Sequence, residues 1–168
     1  LLAEIGQVLR FMEGEEGEVA LVAFPIGHMA GVLGCARLFV RNRHSIFLDV
    51  WDAALAAKIV DEYGVTSTAG TPFHLLSLFE AADAAGLSLA TFRSIMLGAT
   101  TVAPSLIELA DARGIKAYRC YGSTEQPTIS SGKPSDSFAD RALTDGHLLP
   151  GVEVRILDDD DNDLPFGQ

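Results

Sequence analysis

Between Ser45 and Glu125 the sequence alternates short β-branched or apolar runs with amphipathic stretches, each punctuated at its ends. Few folds accept that pattern. Ser45–Val50 reads as a strand. Asp52 can cap a helix with Leu55, Ile59, Val60 and Tyr63 on one stripe and Gly64 closing it. Val65–Ala69 is β-branched and strand-like. Thr71-Pro72 then opens a helix whose stripe is Leu75, Leu78, Phe79 and Ala82, with Gly86 at its end. Arg93–Leu97 is the next strand, and Gly98-Ala99-Thr100 makes the turn after it. Pro104 starts a helix with Leu106, Leu109 and Ala110 inward and Gly114 beyond it. Ile115–Tyr121 is the last strand of the series. Strands alternating with helices of about 10–15 residues specify parallel βαβ units. The expected fold class is therefore α/β, a parallel sheet with flanking helices.

The flanks read differently. Residues 1–12 carry a weak helical pattern at Leu2, Ile5, Leu9 and Phe11-Met12, and the acidic run Glu13–Glu18 reads as a solvated surface loop. Val19–Phe24 is a buried strand bounded by Pro25, and Val32–Val40 a buried helix. Ser130–Leu149 is rich in Ser, Asp and Pro and reads as a loop. Val152–Leu157 alternates apolar and polar residues, as a half-buried antiparallel strand does, and Asp158–Asp163 is a turn. The expected organisation is an α/β portion over 1–127, a loop over 128–150 and the start of a small β subdomain over 151–168. The chain opens mid-pattern without Met and closes on a turn at Leu164–Gln168, so we expect a piece of a longer protein.

Composition narrows the function classes. A formal charge of −11 disfavours nucleic acid and anionic membrane as partners, since both require clustered Lys and Arg. No apolar run reaches the roughly 18–20 residues of a spanning helix, and no signal peptide is visible. Cys35 and Cys120 stand far apart, without CxxC spacing. They read as reduced thiols of a cytoplasmic protein. His28, His44, His74 and His147 lack metal-ligand spacing, and there is no GxSxG elbow or GxGxxG loop. The run Asp158–Asp163 is a solvated hairpin turn rather than a calcium loop, because Asp163 stands where the sharp-turn Gly is needed.

Two strand-end turns carry the candidate chemistry. In open α/β sheets ligands bind beyond the carboxyl ends of the strands. Tyr121-Gly122-Ser123-Thr124-Glu125 supplies an aromatic to pack on a base, a sharp turn, hydroxyls for phosphate and a carboxylate for Mg²⁺. Gly98 and Ala99 are small enough for a flat base to lie on the backbone. Each turn taken alone is equally an ordinary polar loop. Their succession on neighbouring strands is more informative than either.

Tyr121-Gly122-Ser123-Thr124-Glu125 resembles the YGxTE core of the adenylate-forming superfamily of acyl-CoA synthetases, luciferases and peptide-synthetase adenylation domains. Ala23–Gly31 is similar to that family's PLFHxxG stretch, and Val65 to Pro72 resembles its "GVT…P" strand and turn. Leu97–Pro104 resembles its GGAPL segment, and Thr144-Asp145-Gly146 through Gly151–Ile156 its "G…PGVEVRI" segment. The resemblance implies an ATP-dependent carboxylate–CoA ligase using ATP, Mg²⁺ and coenzyme A. Glu125 would bind Mg²⁺, and Thr124 would contact phosphate as the acyl-adenylate forms; these are the catalytic candidates. Gly98, Ala99, Thr100, Tyr121, Gly122 and Ser123 would line the nucleotide site with Thr124, and His28 would border the acyl pocket.

No Asp or Glu stands between Val19 and Leu48 to pair with a substrate ammonium. The implied substrate is a carboxylic acid without an α-amino group: fatty, alicyclic or aryl. The departures are specific. Leu97 takes the place of the first glycine of GGAPL and Thr100 that of the proline. The family's phosphate loop, ribose-binding Asp, hinge and adenylation lysine would lie outside residues 1–168, so this stretch by itself is expected to be inactive. The competing readings are a non-catalytic nucleotide- or partner-binding α/β module, and an adenylating enzyme with a carrier-protein thiol or oxygen as acceptor.

Overall fold

The four strands expected in the parallel series form, the Val19–Phe24 run joins them as a fifth parallel strand, and the helices of the series begin and end at the punctuating residues. The computed structural model describes residues 2–11, 17–39 and 44–165; residues 13–16 of the acidic run, Val40 and residues 166–168 of the closing turn lie outside the described residues. The elements run α1 (Leu2–Phe11), β1 (Val19–Val22), α2 (Met29–Arg37), β2 (His44–Phe47), α3 (Ala53–Tyr63), β3 (Ser67–Gly70) and α4 (Pro72–Ala85). They continue with β4 (Ser94–Leu97), α5 (Pro104–Ala112), β5 (Lys116–Tyr121), β6 (Ser130–Ser131), α6 (Phe138–Leu143) and β7 (His147–Leu148). The Asp52 carboxylate accepts from the Leu55 N–H at 2.9 Å, satisfying an orphan donor of α3. Gly64 and Gly86 close α3 and α4 at φ 64° and 63°, in the left-handed region that glycine enters without strain.

The strands lie in the order β2-β1-β3-β4-β5-β6-β7, with β2 to β5 parallel and β5–β6–β7 antiparallel. Leu21, Ile95, Leu97 and Ala117 point to one face and pack with Val60, Leu75, Leu78 and Ile107 of α3, α4 and α5 in the main core. Full burial of each large aliphatic side chain contributes about 1.5–3 kcal/mol. The alternate residues Ala20, Val22, Ala69, Met96 and Tyr118 floor a trough of about 830 Å³ on the opposite face, flanked by Ala30 and Gly34 of α2 and by Lys133–Ser135.

Chain order creates a switch point. From β1 the chain goes outward to β2; from β2 it returns to β3 on the other side of β1. Helices leaving β1 and β3 therefore diverge, and a crevice opens beyond their carboxyl ends.

Four expectations need correction. The stripe of α3 is Ala56, Ala57, Ile59 and Val60; Leu55 and Tyr63 are exposed. In α5, Ile107 is buried in place of Leu109. Small alanines face inward where a helix packs closely on its neighbours, and the longer side chains project at the margins. The polar stretch read as a loop over Ser130–Leu149 contains β6, β7 and α6, the last capped by the Ser137 hydroxyl accepting from Asp140 N–H. Val152–Leu157 forms no strand among the described residues: only Leu157 is bridged, to Asp163, and Val154 and Ile156 are exposed. An alternating segment becomes a strand only against a partner edge. The Asp158–Asp163 turn does form, with Asp158 Oδ1 accepting from the N–H groups of Asp160 and Asn162.

Candidate functional site

The carboxyl edge of the parallel strands gathers the motif residues. Beyond β1 lie Phe24 and His28, beyond β3 Thr71 and His74, beyond β4 Gly98-Ala99-Thr100, and beyond β5 Gly122 to Glu125. Sequence-neighbouring turns thus become neighbours across the sheet.

His28 is the N-cap of α2. Its Nδ1 accepts from Ala30 N–H at 3.1 Å, and its ring stacks on Phe24 at 5.1 Å. Hydrogen-bonding at Nδ1 leaves the proton of the neutral ring on Nε2, exposed at the edge. His74, which spacing alone did not single out, belongs to the same cluster. Its ring lies 5.5 Å from Phe24 and edge-on to Trp51 at 4.6 Å, and Trp51 Nε1–H donates to the Ser77 hydroxyl. Thr71 N–H donates to His74 Nδ1 at 3.2 Å, and the Thr71 hydroxyl stands 2.8 Å from the same nitrogen. This reciprocal cap starts α4. The Thr-x-x-His spacing was the available signal.

Burial lowers the His74 pKa below that of a free imidazole. The cap requires Nδ1 unprotonated, so the sign is fixed. The folded state binds the proton less readily than the unfolded chain, and the contribution is fully present above about pH 6.5 and lost as pH falls below it. His74→Phe is expected to remove that part of the pH dependence and to lower stability by about 1 kcal/mol at pH 7.5. Thermal melts of wild type and variant at pH 7.5 and 5.0 check both.

Gly98 is buried where its N–H donates to Gly70 carbonyl at 3.1 Å, and a Cβ there would stand 2.6 Å from Cys120 Sγ. The next residue, Ala99, holds φ 63°. A left-handed non-glycine costs about 1–2 kcal/mol, and it turns the chain out of β4 within one residue. Burial pushes the Cys120 thiol up to about 11, with Asp145 adding to the shift and Arg37 opposing it, so it is an uncharged filler beneath this turn.

Tyr121 to Glu125 is exposed. The loop is closed by Ser123 N–H donating to Gln126 carbonyl and Ile129 N–H to Tyr121 carbonyl, both at 2.9 Å. Glu125 is held below the ordinary carboxylate range by its own backbone N–H and then by the Ser123 hydroxyl, against a smaller desolvation effect. It is ionised and facing outward.

Thr124 and Glu125 line a groove of about 580 Å³ with Met29, Gln7 and residues 151–154. His28, Gly98, Ala99, Thr100 and Tyr121 do not line it, although they share its edge. Three acids line this groove, Glu4, Glu125 and Glu153, and no Lys, Arg or His. Glu4 is only 6% exposed; its Oε2 accepts from Gln126 Nε2 at 3.4 Å, and its Oε1 has no hydrogen-bond partner. The larger trough on the sheet face runs along the strands away from these turns, reaching the edge only at Phe24. Of the two, only the smaller groove is lined by Thr124 and Glu125.

Comparison with known proteins bears on the family and the fold. The AMP-binding enzyme family matches residues 2–168. The medium-chain fatty-acid–CoA ligase of Escherichia coli strain K12 is 30% identical over 154 residues, covering 89% of this chain and 27% of that ligase. The amide bond synthetase McbA from Marinactinospora thermotolerans superposes with a TM-score of 0.82 at 25% identity, over 99% of this chain and 34% of that structure. The fold is also that of O-succinylbenzoate coenzyme A synthetase (MenE) from Bacillus subtilis, solved with ATP and a magnesium ion. Its TM-score is 0.83 at 18% identity, over 98% of this chain and 34% of that structure. The chain thus spans about a third or less of the length of these relatives. Among the described residues no helix is long and apolar enough to cross a membrane.

Proposed function

The chain belongs to the AMP-binding enzyme family, and from that premise we propose that it supplies the acyl- and nucleotide-facing part of an ATP-dependent carboxylate–CoA ligase. Such an enzyme transfers the AMP group of ATP to a carboxylic acid, releasing pyrophosphate, and then passes the acyl group to the coenzyme A thiol, releasing AMP. The observation that carries the proposal is Glu125. It is an ionised carboxylate beside the Thr124 hydroxyl, at the carboxyl end of β5, in a groove without basic side chains.

That donor set fits Mg²⁺, which prefers hard oxygen ligands and binds through one or two carboxylates plus phosphate and water. When bound, the ion neutralises charge on the phosphates as the carboxylate attacks the α-phosphorus. Glu125 holds the ion. The Thr124 hydroxyl donates to phosphate oxygen, placing a fixed dipole where negative charge grows. Gly98, Ala99 and Thr100, with Tyr121, Gly122 and Ser123, form the surface against which the adenine and its phosphates lie. The His28 Nε2–H borders the acyl group next to Phe24. The chain carries no acid from Val19 to Leu48, and the cluster beside His28 is Phe24, His74 and Trp51. This favours a fatty, alicyclic or aryl acid over an amino acid. Both cysteines are free, in keeping with a reducing cytoplasm.

Glu125→Gln in the full-length enzyme tests the reading. Removing a metal-holding carboxylate is expected to reduce acid-dependent ATP–pyrophosphate exchange by about 10²-fold or more. Exchange at the wild-type rate would remove Glu125 from the site.

A further inference from the structure

Glu4 occupies a position that a helix gives to an apolar residue. It shares the buried stripe of α1 with Val8 and Phe11 at the i, i+4, i+7 spacing, and is as buried as they are. A carboxylate in such a place is costly unless its oxygens are matched. Here they are not. The hydrogen bond from Gln126 is long at 3.4 Å, and Oε1 has no partner. The groove it lines adds Glu125 and Glu153 and no basic group to offset them. Three acidic side chains thus share one groove, and the buried one, Glu4, has an oxygen that nothing in the described chain satisfies.

The kind of cation follows from the donors. Among the described residues no three His, Cys, Asp or Glu groups converge closely enough to hold a metal by themselves. That disfavours an all-protein cage for Zn²⁺ or Ca²⁺. It suits an ion that keeps much of its water and takes few carboxylates, as Mg²⁺ and Mn²⁺ do. Gln126 connects the two acids: its side chain contacts Glu4, and it directly follows Glu125 in the chain. We propose that Glu4 is the second anionic donor of a divalent-cation site shared with Glu125, so that α1 and the loop after β5 are drawn together by the ion. This rests on the reading of Glu125 above and extends it to a residue on a different element.

The test uses this chain and Mn²⁺ as the probe, with free Mn²⁺ followed by electron paramagnetic resonance. Glu4→Gln is isosteric, and its fold is checked by circular dichroism. Loss of a supporting acid is expected to weaken Mn²⁺ binding about 10–100-fold, as is Glu125→Gln, while Glu108→Gln on the exposed face of α5 has no effect. If Glu125→Gln weakens binding and Glu4→Gln does not, the proposal fails and the Glu125 reading survives. If neither weakens it, both fail. Should Glu4→Gln not fold, the wild-type chain still decides by nuclear magnetic resonance. Mg²⁺ must shift the side-chain carboxyl carbon resonance of Glu4 along with that of Glu125; a shift confined to Glu125 overturns the proposal.

Discussion

Arg141→Met is expected to destabilise the chain by about 3–5 kcal/mol in urea denaturation, the magnitude for breaking a buried ion pair from one side. Arg141 is 2% exposed. Its guanidinium donates to Asp111 Oδ2 at 2.6 Å, to Ala117 carbonyl at 2.8 Å and to Asp136 carbonyl at 3.1 Å. One side chain therefore ties α6 to α5 and to β5, the strand that carries the Tyr121–Glu125 loop. Methionine fills most of the volume but takes the buried donor from two carbonyls and from Asp111, which keeps only Lys116 at 3.3 Å. The pH dependence gives the claim a second edge. Burial alone would raise the Asp111 pKa, but the hydrogen bonds and charges of Arg141 and Lys116 outweigh it and hold it lowered. A depressed carboxylate stabilises the fold above its unfolded pKa, and that contribution is lost as pH falls through the folded value. The gap between wild type and variant should thus shrink below about pH 4. Adding Asp111→Leu to Arg141→Met is expected to recover part of the loss, since the carboxylate left with Lys116 alone goes with it. A loss under about 1 kcal/mol, the range of exposed pairs, would show that the guanidinium does not brace this edge.

Arg141 also marks where the sequence stops being readable. From β2 to β5 the elements were legible because their ends carry unambiguous chemistry: Asp52 and Gly64, Thr71-Pro72 and Gly86, Pro104 and Gly114. Local signals and tertiary packing agree there. In Ser130–Leu149 they conflict. Ser, Asp and Pro dominate, and the charge of Arg141 reads as surface until its partners are known, none of which is nearer in sequence than Asp136. The reverse error occurs at Val152–Leu157, where the alternation is correct for a strand and no edge is present to pair with it. The candidate site divides in the same way. Tyr121 to Glu125, Gly98, Ala99 and His28 were visible as motifs at strand ends. His74 and Glu4 were not, because each meets a partner distant in sequence. Trp51 lies on another connection, and Gln126 is more than a hundred residues from Glu4. Only a polar residue on an apolar stripe, or a Thr-x-x-His before a helix, hints at them.

Gly122→Ala is expected to reduce adenylation by the full-length enzyme about 10²-fold, the effect of a 1 Å misplacement at a reacting centre. A Cβ at this position would stand 2.1 Å from Pro127 carbonyl oxygen and 2.6 Å from its carbon. Both are backbone atoms, so no rotamer relieves the overlap. The loop must open, and with it go the Ser123 to Gln126 and Ile129 to Tyr121 hydrogen bonds that fold it. Overpacking of this kind costs about 1–3 kcal/mol, less than the loss at Arg141, because the loop is exposed and can move outward. The variant should therefore remain folded while Thr124 and Glu125 leave their places. Gly6→Ala is the contrast. It lies within α1, its added Cβ would meet only the end of the Arg10 side chain at 3.6 Å, and the helix gains up to about 1 kcal/mol. A Gly122→Ala enzyme that melts within a few degrees of wild type yet exchanges pyrophosphate poorly would tie the activity to the geometry of this loop. One that loses the same stability and keeps its rate would mean that the loop can shift without disturbing the nucleotide, and that the adenylating contacts lie elsewhere on the edge.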